Sequence, residues 1–250
     1  MENLINLTTK LEELKTEVEQ LPEGAMKIFW DRFLTPVYHY QAFTGGIFDF
    51  DTFWPTKDII CNDSGGIYTA QRLFYNFTKG NCAQSLKRRL EQCGVKIVLT
   101  QTTSIRQFAT WASITEYPEL DLTTITDKEG LHQSFAYCQK RIKRIERLIS
   151  SPGTYWNDNT FYDSNLEHCV IAGTIGTGTF NIQGSTLLDK ESLLSIITAL
   201  SDTTNGLTCK LSLVAVNREF ETNAGLNNGS TSPEWTAKVA AKPNWTINLL

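Results

Sequence analysis

The chain has 250 residues, with 23 Lys and Arg against 27 Asp and Glu, for a formal net charge of −4 at pH 7. That length predicts one large domain, or one domain with a short appendage, and an apolar share of 41% excludes wholesale disorder. The mild acidity argues against a dedicated nucleic-acid binder, and no apolar run is long enough to insert into a membrane. The first residues do not combine a positive region with an apolar one, so no secretory signal is expected.

Apolar residues recur near the N-terminus at alternating spacings of three and four. We call these six residues the N-terminal seam: Leu4, Leu7, Leu11, Leu14, Val18 and Leu21. The spacing predicts one helix, and Pro22 ends the pattern. The favoured interpretation is a coiled coil over residues 1–22 that joins chains into a homo-oligomer. The alternative is a helix that packs on its own domain.

Residues 25–56 are unusually aromatic, with ten aromatic side chains between Phe29 and Trp54. We expect most of these rings to be buried in an N-terminal cap, although exposed rings could stack on sugars. The alternation from Phe48 to Asp51 predicts a strand with Asp49 and Asp51 on one face.

The middle of the chain contains a weak repeat of 26 to 27 residues. Its markers, which we call the repeat phenylalanines, are Phe108, Phe135 and Phe161, and apolar residues return in step after each of them. Fainter copies are expected at 73–77 and 180–182. A period of this length with one strand-like cluster per unit is typical of leucine-rich-repeat solenoids, in which neighbouring units share a core. Residues 57–185 are therefore predicted to form such a solenoid.

The remaining elements are predicted from local pattern. A helix is expected at 83–94 and a strand at 97–99. Residues 186–250 are predicted to form an α/β cap with helices at 190–200 and 214–220, a third helix opening at Ser232, and strands at 207–213 and 245–249. The expected class is α+β.

Six stretches resemble the BspA-type leucine-rich-repeat proteins of tailed bacteriophages and prophages, in order along the chain: Lys57–Cys61, Ala70–Phe74, Leu90–Val95, Ser134–Cys138, Ser195–Ser201 and Lys242–Ile247. The resemblance implies a recognition solenoid in a virion or on a cell surface. By analogy with phage fibres, it also favours three chains in the homo-oligomer. This chain departs from the family in having only about three clear repeats, of uneven length.

Little in the sequence indicates catalysis. His168 and Cys169 are neighbours, which would point to opposite faces of a strand and could not form a dyad. Carboxylate pairs such as Glu116 and Glu119 could serve a glycosidase, but any acidic protein offers such pairs. The six cysteines are not spaced as metal ligands usually are, so we expect free thiols and no bound metal. No cofactor is expected either. The cysteines are Cys61, Cys82, Cys93, Cys138, Cys169 and Cys209. The basic run 140–147 is expected to be a solvated face, or else a contact for anionic polymers.

Polar and tyrosine side chains that lie between the apolar residues of the repeats form the candidate ligand-binding set: Arg106, Gln107, His132, Gln133, Tyr137, Tyr162 and Asn165. Such a set suits sugar hydroxyls or a protein partner better than lipid or phosphate. The expected function is a non-enzymatic virion component, made in the host cytoplasm, that binds a host receptor or other virion proteins. The alternative is a bacterial cell-surface adhesin, and a glycan-degrading enzyme ranks third.

Overall fold

The structure is a computed structural model that describes residues 2–20, 33–37, 40, 48, 50–54, 59–60, 97–98, 104–108, 116–117, 119–137, 142–202, 206–220 and 232–250. In these residues α-helices accompany parallel sheets, which confirms the α+β class. The faint copy at 73–77, the helix at 83–94 and the stretches 70–74 and 90–95 lie outside the described residues.

The helices are α1 (Glu2–Glu19), α2 (Phe50–Phe53), α3 (Lys190–Ala199), α4 (Leu213–Phe220) and α5 (Pro233–Ala240). The strands are β1 (Ile59–Ile60), β2 (Ile97–Val98), β3 (Glu116–Tyr117), β4 (Leu120–Asp121), β5 (Arg144–Ser150), β6 (Tyr155–Trp156), β7 (His168–Gly173), β8 (Thr177–Asn181), β9 (Leu207–Leu211) and β10 (Trp245–Leu249). The five C-terminal elements that the sequence predicts are confirmed to within two residues. Ser232 caps α5, because its Oγ accepts a hydrogen bond from the Trp235 N–H at 3.2 Å.

Two of the parallel sheets form the middle and C-terminal parts of the chain. In the first, β3 and β4 pair with one edge of β5, and β7 pairs with the other. In the second, the strand order is β10-β9-β8-β6. Strand partners such as Arg144 and His168 lie about one repeat apart in sequence. Pairing therefore joins strands of successive units.

Helix α3 lies beside the outer edge of β7, where a further strand would otherwise pair. The Ser192 hydroxyl accepts from the Cys169 N–H at 2.7 Å, and the Ser195 hydroxyl accepts from the Ile171 N–H at 3.1 Å. Backbone hydrogen bonds also hold both ends of α3 beside β7. The Asp189 N–H donates to the Glu167 carbonyl, and the Ile175 N–H donates to the Ala199 carbonyl. The helix thus satisfies strand groups that would otherwise be exposed at an edge.

The repeat phenylalanines stack in one core, as the period predicts. All three are buried, with ring centroids 6.2 Å apart for Phe108 and Phe135 and 5.4 Å apart for Phe135 and Phe161. Phe180, in the fainter copy, extends the row at 6.0 Å from Phe161. Buried apolar residues from α1 to β10 belong to the same contiguous cluster.

Two glycines permit the close approach of neighbouring units. Gly173 and Gly178 have φ values of 99° and 85°, which side-chain-bearing residues rarely adopt. A Cβ on Gly173 would lie 2.1 Å from the Ser150 carbonyl oxygen, and one on Gly178 would lie 1.9 Å from that of Trp156. Both positions therefore require glycine.

The N-terminal helix packs on its own chain. Leu11, Leu14 and Val18 are buried without any second chain, and Leu7 packs partly against the core. The Lys15 ammonium donates to the Thr52 carbonyl at 2.8 Å, which ties α1 to the α2 segment. Three of the six seam residues are thus covered within one chain, as the alternative interpretation requires. The side chain of Leu4 and all of Leu21 lie outside the described residues.

Three described rings of the aromatic segment are buried, and Tyr40 and Phe53 are partly buried. Phe33, Phe48 and Trp54 are inaccessible to solvent, and their rings meet edge to face around Phe33. The strand predicted at 48–51 is wrong, because Phe50–Phe53 form the helical turn α2. An alternation of only four residues is too short to decide between periods, and the aromatic spacing at 50, 53 and 54 fits a helix. The side chains of Asp49 and Asp51 lie outside the described residues.

Candidate functional site

The candidate ligand-binding residues lie on a stack of tight turns, which we call the turn ladder: residues 104–108, 130–137 and 157–164. Each turn is closed by hydrogen bonds from an N–H to the carbonyl three residues earlier, as from Phe108 to Ile105 and from Ser164 to Phe161, both at 3.0 Å. A further such bond joins Ser134 to Leu131 at 3.2 Å. The repeated sequence therefore produces repeated local geometry.

Backbone hydrogen bonds hold the turns in register. The Gln107 N–H donates to the His132 carbonyl at 3.0 Å, and the Tyr137 N–H donates to the Tyr162 carbonyl at 2.8 Å. Each bond spans 25 residues, one or two fewer than the repeat, and joins one turn to the next. Side chains of neighbouring turns are consequently placed side by side along one surface.

Four side-chain-bearing residues of the turn ladder adopt left-handed backbone geometry. Gln107, Gln133, Tyr137 and Asp163 have φ values between 54° and 57°. Residues other than glycine seldom adopt this conformation, and where they do they often mark binding sites. Gln107, Gln133 and Tyr137 belong to the candidate set. These three residue types do not indicate left-handed geometry, which glycine, asparagine and aspartate adopt more readily.

Two pairs of the candidate set are brought into contact. The Gln107 side-chain amide donates to the Gln133 side-chain oxygen at 3.3 Å, across 26 residues of sequence. The rings of Tyr137 and Tyr162 meet edge to face with centroids 5.5 Å apart. Tyr162 is 50% exposed, whereas Phe161 beside it is buried.

The remaining members of the set are dispersed. Arg106 is exposed on the first turn, and the His132 ring lies 3.4 Å from the Glu129 carboxylate. The Asn165 side-chain oxygen is buried and has no hydrogen-bond partner among the described residues. The structure thus assembles four of the seven predicted residues into two contacting pairs.

A second polar cluster was not predicted. His168 on β7 is nearly buried, and its Nδ1 lies 2.6 Å from an Asp189 carboxylate oxygen at the start of α3. Its Nε2 lies 3.6 Å from the Glu146 carboxylate on β5. Asp189 also accepts from the Ser192 N–H at 2.9 Å and from the Ser192 hydroxyl at 2.6 Å. An aspartate just before an apolar helix, with Ser192 three residues on, is a local capping signal that could have identified Asp189.

The electrostatics of this cluster stabilise charge on Asp189. Burial alone raises the pKa of Asp189, but hydrogen bonds from Ser192 and His168 outweigh it, so the pKa lies below its ordinary value. Burial raises the pKa of Cys169 to about 12, which keeps that thiol protonated and poorly nucleophilic. The Ser192 hydroxyl bonds to the aspartate and not to the histidine, which differs from a nucleophile–base arrangement.

The described basic side chains of the run 140–147 are each paired with a carboxylate. Lys143 bonds Glu167, Arg144 bonds Glu146 and Arg147 bonds Glu119. Two of these pairs, Lys143–Glu167 and Arg147–Glu119, join neighbouring units of the sheet. This pairing favours a structural outer face over a contact for anionic polymers. Lys140 and Arg141 lie outside the described residues.

In the part of the chain that the structure describes, no group of three or more His, Cys, Asp or Glu side chains is arranged to hold a metal ion. Within the same residues, no helix has both the length and the apolar character for a bilayer span. Comparisons with models of known protein families, with curated proteins and with solved structures gave no match.

Proposed function

We propose that this chain is a non-enzymatic component of a tailed-phage virion, similar to tail or head fibre proteins, that presents a repeat surface to a host receptor or to other virion proteins. In this proposal residues 57–185 form a short leucine-rich-repeat solenoid and residues 186–250 form its C-terminal cap. The virion setting rests on the resemblance of six ordered stretches to BspA-type phage proteins.

One observation carries the recognition role. Backbone bonds at an offset of 25 residues, such as Gln107 to His132 and Tyr137 to Tyr162, stack the turns of successive units on one another. A surface built from aligned positions is what repeat proteins use to bind extended partners. The polar and aromatic character of the turn ladder suits such a partner.

A binding role is also supported by the chemistry of the second cluster. The Cys169 thiol is held protonated, and the Ser192 hydroxyl is committed to Asp189. Glu119, one of the two carboxylates considered for a glycosidase, is paired with Arg147 at 2.6 Å. Among the described residues, Cys169, Ser192 and Glu119 are thus engaged in the fold, which favours a structural role for them over that of a nucleophile or a free acid.

The proposal does not require the N-terminal seam to join chains, since Leu11, Leu14 and Val18 are already buried.

The test is to locate the protein in fractions of the producing cells. Particles purified on a density gradient should contain the chain, and gold-labelled antibodies should mark a fixed place on each particle. Recovery only from the cell envelope would replace the proposal with the adhesin alternative. Recovery only from the soluble fraction, without particles, would overturn both.

A further inference from the structure

We infer that the exposed ring of Tyr162, supported edge to face by Tyr137, forms a platform on which a neutral saccharide stacks, with the chain of sugar units running along the turn ladder. This inference rests on the proposed recognition role and names the class of ligand. It starts from the contrast between Phe161, which is buried, and its neighbour Tyr162, which is 50% exposed.

The exposure of Tyr162 is what a stacking platform requires. An exposed aromatic ring forgoes the gain from burial, and the described core accepts comparable rings at Phe135 and Phe161. Aromatic faces are attracted to the apolar C–H faces of pyranose rings, and a tyrosine hydroxyl can add a hydrogen bond to sugar hydroxyls.

The platform is held rigidly by the backbone. The Tyr137 N–H donates to the Tyr162 carbonyl at 2.8 Å, and the two rings contact edge to face. The left-handed geometry of Tyr137 fixes the direction in which its side chain leaves the turn. A ligand that stacks here therefore orders few side-chain rotors, which lowers the cost of binding.

The surroundings favour an uncharged ligand. Gln133 lies four residues before Tyr137 on the same turn and bonds Gln107 of the preceding unit, so amide groups continue the row. Amides both donate and accept, which matches the hydroxyls of neutral sugars. Lys143 and Arg144, which follow Tyr137 among the described residues, are paired with carboxylates and offer less to an acidic polymer. The exposed Arg106 lies on the first turn of the ladder and not on the turns that carry the two tyrosines.

The experiment uses the full chain on an array of neutral and acidic oligosaccharides of one to six units, followed by calorimetry with the best probe. We expect binding to neutral oligosaccharides that strengthens with length. Tyr162→Ala should weaken it roughly five- to tenfold, and Tyr162→Phe should retain most of it. Tyr162→Leu should weaken it like alanine, because leucine keeps apolar area but lacks an aromatic face.

Val214→Ala is the matched control, because Val214 is also strongly exposed but lies on α4. It should bind like the parent chain. Preference for acidic probes, equal binding by Tyr162→Leu and the parent, or binding of virion proteins with no saccharide binding would each overturn the inference. Particle localisation is measured separately, so a chain found in virions without saccharide affinity would overturn this inference alone.

Discussion

At the scale of single residues, Phe135 is enclosed by other rings. It is fully buried, stacks on Phe161 at an interplanar angle of 15° and meets Phe108 and Tyr117 edge to face. Truncation would leave a cavity that three surrounding rings cannot fill without losing their own contacts. Phe135→Ala is therefore expected to lower the free energy of unfolding by about 3–5 kcal/mol, measured by urea denaturation.

Tyr162→Ala serves as the control for that measurement. The residue lies in the neighbouring unit but is half exposed, so its removal should lower the free energy of unfolding by only about 1 kcal/mol, through loss of its ring contact with Tyr137. Equal losses in the two variants would show that Phe135 is not part of the packed row.

The Asp189 carboxylate should give the protein a pH-dependent share of stability. Its pKa in the folded chain lies below the ordinary value of about 3.9, for which the Ser192 and His168 hydrogen bonds are responsible. A lowered pKa means that the contribution is present above the unfolded value and is lost as the pH falls through the folded one. Asp189→Asn, which keeps a good helix cap, should be destabilised at pH 7 and approach the parent in acid. Urea denaturation of both proteins from pH 7 down to acid measures the difference in their free energies of unfolding. A difference that does not change with pH would contradict the prediction.

At the scale of elements, α1 should contribute to the stability of a single chain. Leu11 is 1% exposed and belongs to the contiguous core. Leu11→Ala is expected to cost about 2–5 kcal/mol, and Leu7→Ala less, because Leu7 is only partly buried. The parent stability should also be independent of protein concentration, since an intermolecular seam would make the melting temperature rise with concentration. Thermal scans at several protein concentrations distinguish a helix that packs on its own chain from an intermolecular seam.

The helix α3 should protect the edge of β7 from exchange with solvent. Ser192→Ala removes the acceptor for the buried Cys169 N–H and is expected to cost about 1–3 kcal/mol. Amide hydrogen exchange at Cys169 should accelerate in this variant. Ser195→Ala is the matched control and should act on Ile171 instead, so unchanged exchange at Cys169 in Ser192→Ala would refute the assignment.

Much of the element structure could be predicted from local sequence. Ser232 followed by Pro233 predicts the start of α5, and the apolar spacing after Lys190 predicts α3. Both predictions succeed because caps and periodicity depend on residues close together in sequence. The position of α3 could not be predicted, since a serine hydroxyl that bonds a strand 23 residues away leaves no local pattern. The same limit applies to the α2 segment, where four alternating residues fit two periods.

The candidate site was predictable in part for a related reason. The repeat spacing predicts that Gln107 lies near Gln133, because the two are 26 residues apart. Tyr137 and Tyr162 are 25 residues apart, and they meet because neighbouring turns stack on one another. The contact between His168 and Asp189 was not predictable, because it joins a strand to a helix outside that period. Arg106, His132 and Asn165 also lie in the repeats, but they do not contact other members of the candidate set. Such contacts depend on the direction of each side chain, which the period does not determine.

At the scale of the whole molecule, the described core is continuous from α1 to β10. Trp54, Trp156 and Trp235 are buried in different parts of it. We therefore expect one cooperative unfolding transition, with tryptophan fluorescence and far-ultraviolet circular dichroism giving the same midpoint. Two separate midpoints would show that the aromatic N-terminal segment unfolds independently of the strands.

The position of α3 also limits how the gene could lengthen. A duplicated unit inserted between β5 and β7 would find a strand on each side and could pair with both. A copy inserted directly after β7 would meet Ser192 and Ser195, whose hydroxyls already occupy the strand's outer N–H groups. Relatives with longer ladders are therefore expected to have gained their extra units upstream of β7, with α3 unchanged.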